Sequence, residues 1–528
     1  MKREPVTPES VWQEYEKGLR FNEQINLADT VKINEDFFVG RQWEGVKANG
    51  LPTPVFNVIK RVVLYLVATT ATDNVAMAVN PMNDAYPTAE ESVDGEKSEG
   101  EVFCDVISGQ FGALLENNKV TSLIRELMRD AAVRGDGCIY SWFDPSAETG
   151  QDAKGCIKSE LLENTRVFFG DPNVRQVQDQ PYILISRRER IKDVRREARE
   201  LGGDADEIKA EDDPVGDRFD ALTDGKVTTL TRFEKRDGTV WSVKTVKDAI
   251  IRDEWDTGMT LYPLVWMSWD RVTNSYHGQA AVTGLIPNQI FVNKAFAMTM
   301  ISLMTTAYPK VIYNKQMIGK WDSGVGKAIA VNSGNDLNNA AKTLDPATIS
   351  PQVSKFIELA VSMTKDLMGA TDAALGNVRP DNTSAIIALQ KSSSVPMELV
   401  KQDLYQAIED LGRVWMDQMR AYYGVRLVKV DGAVGLFDFG ELAKVPLALK
   451  LDVGGSAYWS QISQMQTLDN LLMNRHIDII DYLERLPNGF ISNQQELIDK
   501  IKERQEAAQA AQMGAMAQAQ PADQPVGV

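Results

Sequence analysis

Apolar positions recur every three or four residues over several long stretches and alternate over several short ones, so the pattern predicts both helices and strands. Pro8 to Leu27 reads as a mixed charged helix, with Ser10 as its cap and Val11, Tyr15 and Leu19 along one face. Asn57 opens an apolar helix from Val58 to about Ala71, and Asn74 to Pro81 alternates Val75, Met77 and Val79 as a strand. After a polar loop at 84–95, one long helical region is expected from Gly100 to Val133, with Phe103, Phe111 and Leu127 among its apolar positions. Gly135-Asp136-Gly137 breaks it into a strand over Cys138 to Phe143, and Ile157 to Phe169 reads as a second strand. Long helices alternating with short strands predict an α+β body, not a doubly wound sheet.

The middle of the chain changes character. Leu184 to Leu201 interleaves Arg187, Arg188, Arg190, Lys192, Arg195, Arg196 and Arg199 with four acids, and reads as a charged helix. That face is either exposed and laced with i, i+4 ion pairs, or packed between neighbouring copies. Gly203 to Asp224 is an acidic loop without the regular ligand register of a calcium loop. Beyond it, Thr228 to Phe233 and Val240 to Val246 flank Asp237-Gly238, a two-residue hairpin signal, and further strands are expected at Ile250–Glu254 and Leu264–Trp269. An apolar helix follows Gly284 and ends at Pro309; then come a short strand at Lys310–Tyr313, a polar loop at 331–339 and a helix over Gln352–Met368. Ser384 to about Tyr423 predicts a very long helix with Leu404, Ile408, Leu411, Trp415 and Met419 on one buried stripe, interrupted near Pro396. A β-like patch at Leu427–Leu451, helices near 460–474, 477–486 and 493–511, and an Ala/Gln-rich tail close the chain.

At 528 residues the chain has room for several cores, and its net charge of −17 excludes a generally basic coat for nucleic acid. Cys104, Cys138 and Cys156 lack CxxC spacing and are expected to be free thiols. Met1 to Pro5 leads into a charged helix, which predicts no signal peptide, and the apolar run Ala295–Tyr308 is too short and too interrupted to span a membrane. Neither of the two histidines, His277 and His476, sits in a metal-ligand spacing. Gly324-Val325-Gly326-Lys327 is not a phosphate loop, because Trp321 and Ala328 stand where the pattern needs Gly and Ser or Thr. No catalytic motif, metal site or cofactor is expected.

One N-terminal stretch carries more information. Gly40-Arg41-Gln42-Trp43, followed by Pro54 and Asn57, resembles the opening of a tailed-phage portal protein, the head–tail connector. Gln289-x-x-x-Asn293-Lys294 is similar to the second stem helix of the short-tailed phage type, and Asn382-Thr383-Ser384-Ala385 resembles the start of that family's long helix. The resemblance implies an α+β portal fold with wing, stem helices, β-rich clip, long kinked tunnel helix and helical C-terminal crown. It divides the chain into wing (1–183), first stem helix (184–203), clip (204–269), second stem helix (270–308), more wing (309–369) and tunnel loop (370–383). Long helix and wing (384–451), crown (452–511) and tail (512–528) complete it. It also implies a homo-oligomeric ring, usually of twelve subunits, in the virion at one capsid vertex and in the host cytoplasm during assembly. The implied partners are the major capsid protein, scaffolding protein, terminase large subunit, a head-completion or tail adaptor protein, and double-stranded DNA in the channel.

In that frame Arg379, Asp381, Asn382 and Lys391 line the channel at the tunnel loop and helix start, and Pro396 kinks the long helix. Arg236, Asp237 and Trp241 in the clip dock partners. Ordinary surface charge, or an ion pair between subunits, is the competing reading of Arg379 and Lys391. Two other function classes remain open at this point: an acidic α+β scaffold that binds proteins without enclosing DNA, and a metal-dependent nuclease assembled from scattered acids.

Overall fold

The computed structural model describes residues 6–71, 74–81, 99–210, 225–307, 311–322, 340–343, 351–367, 397–430, 433–443 and 447–454, with shorter pieces between 324 and 332 and between 468 and 501. Helix α1 (Pro8–Gln24) starts on a capping box in which Thr7 and Ser10 exchange side-chain and backbone hydrogen bonds. Thr7 is therefore the cap, and Ser10, expected in that role, is the third residue of the helix. Asn26 in the left-handed region (φ +51°) ends this run and opens α2 (Leu27–Val39), which stops at Gly40. Helix α3 (Val58–Thr70) is capped by Asn57, whose side chain accepts from Lys60 N at 2.9 Å. Strand β1 (Asn74–Pro81) follows as the alternation predicts. The helix expected as one run from Gly100 is two, α4 (Glu99–Asn117) and α5 (Val120–Arg134), parted where Lys119 turns left-handed at φ +49°.

Strand β2 (Asp136–Asp144) pairs antiparallel with β3 (Cys156–Leu162). The stretch Ile157–Phe169, expected as one strand, breaks after β3 at a 3₁₀ turn (Asn164–Arg166) and resumes as β4 (Val167–Phe169) in another sheet. That sheet is antiparallel, ordered β4–β5–β6–β7–β8, with β5 (Ile183–Arg190), β6 (Lys226–Arg236), β7 (Thr239–Thr245) and β8 (Ile250–Asp256). The charged helix expected from Leu184 is thus a strand through Arg190, and only Ile191–Leu201 (α6) is helical. The reason is two-sided burial. Ile183 and Ile185 join a cluster with Val167, Phe233 and Val240, while Leu184 joins Val11, Phe168, Leu230 and Val243 under α1. Gly18 permits that close seating, since a Cβ there would lie 2.5 Å from the Phe168 ring. Helix α6 is not a free charged rod either. Val194 and Ala198 pack on Val227, Val246 and Ile251, and Lys244 of β7 pairs with Glu197 at 2.8 Å.

Strand β9 (Leu264–Ser268) returns to pair with β2, and α7 (Ala281–Ala307) follows, carrying Pro287 inside it. A short antiparallel pair, β10 (Val311–Tyr313) and β11 (Ala341–Thr343), leads to α8 (Pro351–Leu367). Helix α9 (Glu398–Tyr422) precedes a hairpin of β12 (Val425–Val430) and β13 (Ala433–Asp438), and β14 (Leu447–Gly454) pairs with β1. The largest core gathers α3, α4, α5, α7 and α9 around Leu66, Phe111, Leu127, Met128, Leu411 and Trp415. Full burial of each such side chain contributes about 1.5–3 kcal/mol.

A second compact unit comprises Val453–Val528 with Thr72–Asn74. Its described part includes the helix Ile479–Arg485, where Leu483 packs with Ile498. The remainder of the expected C-terminal helices, residues 211–224, and the segments expected as tunnel loop and start of a long helix lie outside the described residues.

Candidate functional site

The residues singled out near the N-terminus meet α7. Gln42 Nε2 donates to Phe37 O at 3.0 Å, and Gln42 Oε1 accepts from Asn293 Nδ2 at 2.6 Å. Asn293 Oδ1 in turn accepts from Gln289 Nε2 at 3.0 Å. Gln289 Oε1 accepts from the backbone N–H of Val58 (3.0 Å) and Ile59 (3.3 Å), the first two residues of α3. A helix start leaves such donors without intrahelical partners. Here Asn57 satisfies one locally and Gln289 satisfies two from another helix. Trp43 Nε1 closes the loop onto Pro54 O at 2.9 Å, and Asn57 Nδ2 holds Phe38 O at 2.9 Å. Gly-x-Gln-Trp, Pro…Asn and Gln-x-x-x-Asn are therefore parts of one buried amide junction, made by residues about 250 positions apart. Spacing alone could not show that they touch.

The hairpin signal is realised in full. Asp237 (φ +49°) and Gly238 (φ +90°) both take positive φ between β6 and β7, as a two-residue type I′ turn requires. Arg236 is folded inward: it pairs with Glu254 and with Glu234 at 3.1 Å, and its guanidinium lies 5.4 Å from the Trp241 ring centre. Burial lowers its pKa, but its hydrogen bonds to the Glu254 and Glu234 carboxylates outweigh that and hold the pKa above its ordinary value. Trp241 is half-buried and Asp237 is exposed. Of the three residues expected to dock partners, Asp237 presents its side chain most openly, while the Arg236–Trp241 pair stiffens the base of the turn. Arg379, Asp381, Asn382, Lys391 and Pro396 fall outside the described residues.

Helix α9, in the stretch expected as a very long helix, is anchored by polar as well as apolar contacts. Trp415 Nε1 donates to Ser159 Oγ at 3.0 Å, and Gln418 Nε2 to Ser141 O at 2.8 Å. Asp417 Oδ2 accepts from Thr260 N (2.7 Å) and Leu261 N (2.9 Å) in the connection between β8 and β9. These bonds tie α9 to β2, β3 and the connection that follows the hairpin sheet.

Residues 189–432 match the family model described as phage P22-like portal protein. The matched span begins at the end of β5 and takes in α6, the β6–β7 hairpin, α7, α8, α9 and β12. No curated protein matches the chain. The Gln42–Trp43 loop and the start of α3 lie before the match, yet Gln42 accepts from Asn293 and Val58 N donates to Gln289, both within it.

One buried pair went unremarked in the sequence because its members are 141 positions apart. His277 Nδ1 lies 2.7 Å from Asp136 Oδ2, and Asp136 also accepts from Gly278 N and Ser268 Oγ, both at 2.7 Å. Ser268 donates to the carboxylate and Ser275 Oγ accepts from His277 N, so neither hydroxyl is aligned on the imidazole as a nucleophile. The pair joins β2 to the loop before α7. Among the described residues, no group of three or more His, Cys, Asp or Glu side chains could hold a metal ion. None of the three cysteines is in a disulfide, and burial raises the Cys138 thiol pKa.

Proposed function

We propose that this chain is the subunit of a tailed-phage portal, a ring at one capsid vertex that conducts double-stranded DNA during packaging and ejection. The match of residues 189–432 to P22-like portal proteins carries this reading. The amide junction supports it by tying the Gly-x-Gln-Trp loop to a helix inside the matched span. In this reading about twelve copies close through a heterologous interface repeated around an axis. A net charge of −17 suits a wall that guides the phosphate backbone without gripping it, since affinity for that backbone comes from Lys and Arg. Arg379 and Lys391, beside Asp381 and Asn382, meter DNA passage, and Pro396 kinks the long helix. The hairpin tip at Asp237 faces the terminase large subunit during filling and the tail adaptor afterwards. The N-terminal elements contact major capsid and scaffolding proteins. The protein acts mechanically, without a cofactor or a chemical step of its own.

Negative-stain imaging of the purified protein tests this directly. Rings with an axial hole wide enough for duplex DNA are expected. Magnesium-dependent DNA cleavage by a protein that forms no rings would overturn the proposal in favour of a nuclease. In a packaging assay, Arg379→Ala combined with Lys391→Ala is expected to alter packaging rate or final DNA length while rings persist. Unchanged packaging would remove those two residues from the channel's working surface.

A further inference from the structure

Helix α7 carries a single charged side chain, Lys294, in 27 residues. A helix apolar around its whole circumference is stable in water only when covered on all sides. Its first half is covered: Val282, Leu285 and Val292 are buried in the body of the chain. Its second half is not, for Met298, Leu303 and Met304 remain 71%, 55% and 54% exposed. Among the described residues, no helix is long and apolar enough to cross a membrane.

Helix α8 repeats the anomaly. Ile357 and Thr364 are buried, while Phe356, Leu359 and Met363, spaced i, i+3, i+7, are 64%, 54% and 58% exposed along one face. Between the two helices lies an open groove of about 300 Å³ walled by Phe291, Ala295, Val353 and Phe356. A large apolar side chain has about 200 Å² of surface, so these six half-exposed residues present about 700 Å². That exceeds the roughly 300–600 Å² typical of the largest patch on a monomer. It approaches the roughly 800 Å² that each partner gives to a standard stable interface.

We infer that this α7–α8 face is one side of the contact between neighbouring copies of the chain. The inference rests on the ring reading and names the surface that reading needs. Charge argues for a second copy as the occupant. Two chains each carrying −17 repel on average, so their association needs a contact free of like charge. The six exposed apolar residues named on the two helices supply it, and in a heterologous ring they meet a different surface of the next copy.

Phe356→Glu combined with Leu359→Glu, made in the full chain, tests the assignment. Both side chains are exposed, so the far-ultraviolet spectrum and melting temperature should stay close to the parent's, while rings fall at least tenfold in native mass measurements. Rings in both parent and variant would overturn this inference and leave the portal reading standing. A parent that forms no higher oligomer would overturn the portal reading, and this inference with it. Replacing Phe356 with benzoylphenylalanine covers the case in which the charged variant misfolds. Illumination is expected to give adducts between two chains, and adducts confined to one chain, or none, would overturn the assignment.

Discussion

Gln289 is almost fully buried on an apolar helix, and its amide serves three backbone groups of another segment: Val58 N, Ile59 N and Phe56 O. Gln289→Ala would remove all three bonds, but Val58 N still donates to Phe56 O at 2.8 Å, so the loss falls mainly on Ile59 N, at about 1–3 kcal/mol for a buried group left unsatisfied. The expected loss is therefore about 1–3 kcal/mol, read as a lower urea midpoint at unchanged m. A loss below about 1 kcal/mol would mean that water replaces the amide. Acid sensitivity has a local source as well. The Lys158 ammonium, then the Ser146 hydroxyl and backbone N–H, hold the Asp144 carboxyl down at about 2. Since the folded value lies below the ordinary carboxylate value, its contribution is complete above pH of about 4 and lost as the pH falls towards 2. Asp144→Asn is therefore expected to be less stable than the parent at neutral pH and to converge on it across that window. A difference that stays constant with pH would contradict the assignment. The sequence singled out Gln42, Asn57, Gln289 and Asn293, but their mutual bonds join segments far apart in the chain and could not be read from spacing.

Elements governed by local chemistry were legible. The Asn57 cap set the start of α3, and Asp237-Gly238 set the β6–β7 hairpin, because both signals act within a few residues. Gly238→Ala is expected to cost about 1–2 kcal/mol, since a Cβ is strained at φ +90°. Asp237→Asn should stay within about 0.5 kcal/mol, because Asn tolerates the left-handed region. Urea titration of both variants separates turn geometry from side-chain charge. Strand β5 misled because seven basic residues between Arg187 and Arg199 resemble one helical face. The arginines instead straddle the end of a strand and the start of a helix, with Arg187 pairing with Glu160 and Arg196 with Asp193. What decided the strand was cover from both sides, by α1 on one face and Tyr262 and Tyr276 on the other, which no local pattern reveals. The break at Lys119 was equally hidden, since apolar periodicity continues through α4 and α5.

At the scale of the whole molecule, the chain combines a well-packed frame with surfaces that a lone copy leaves uncovered. Leu66, Phe111 and Trp415 lie in one core, whereas α7 and α8 turn large apolar side chains outward. The net charge of −17 suits the proposed ring, whose wall guides the phosphate backbone without gripping it. The most direct test is native mass spectrometry of the purified full-length protein at moderate salt. The account predicts one discrete high-order species at an integer multiple of 58.6 kDa, near twelve copies, with ring-shaped particles in the same sample. A monomer or dimer at all concentrations, with the capsid and scaffolding partners present, would contradict it.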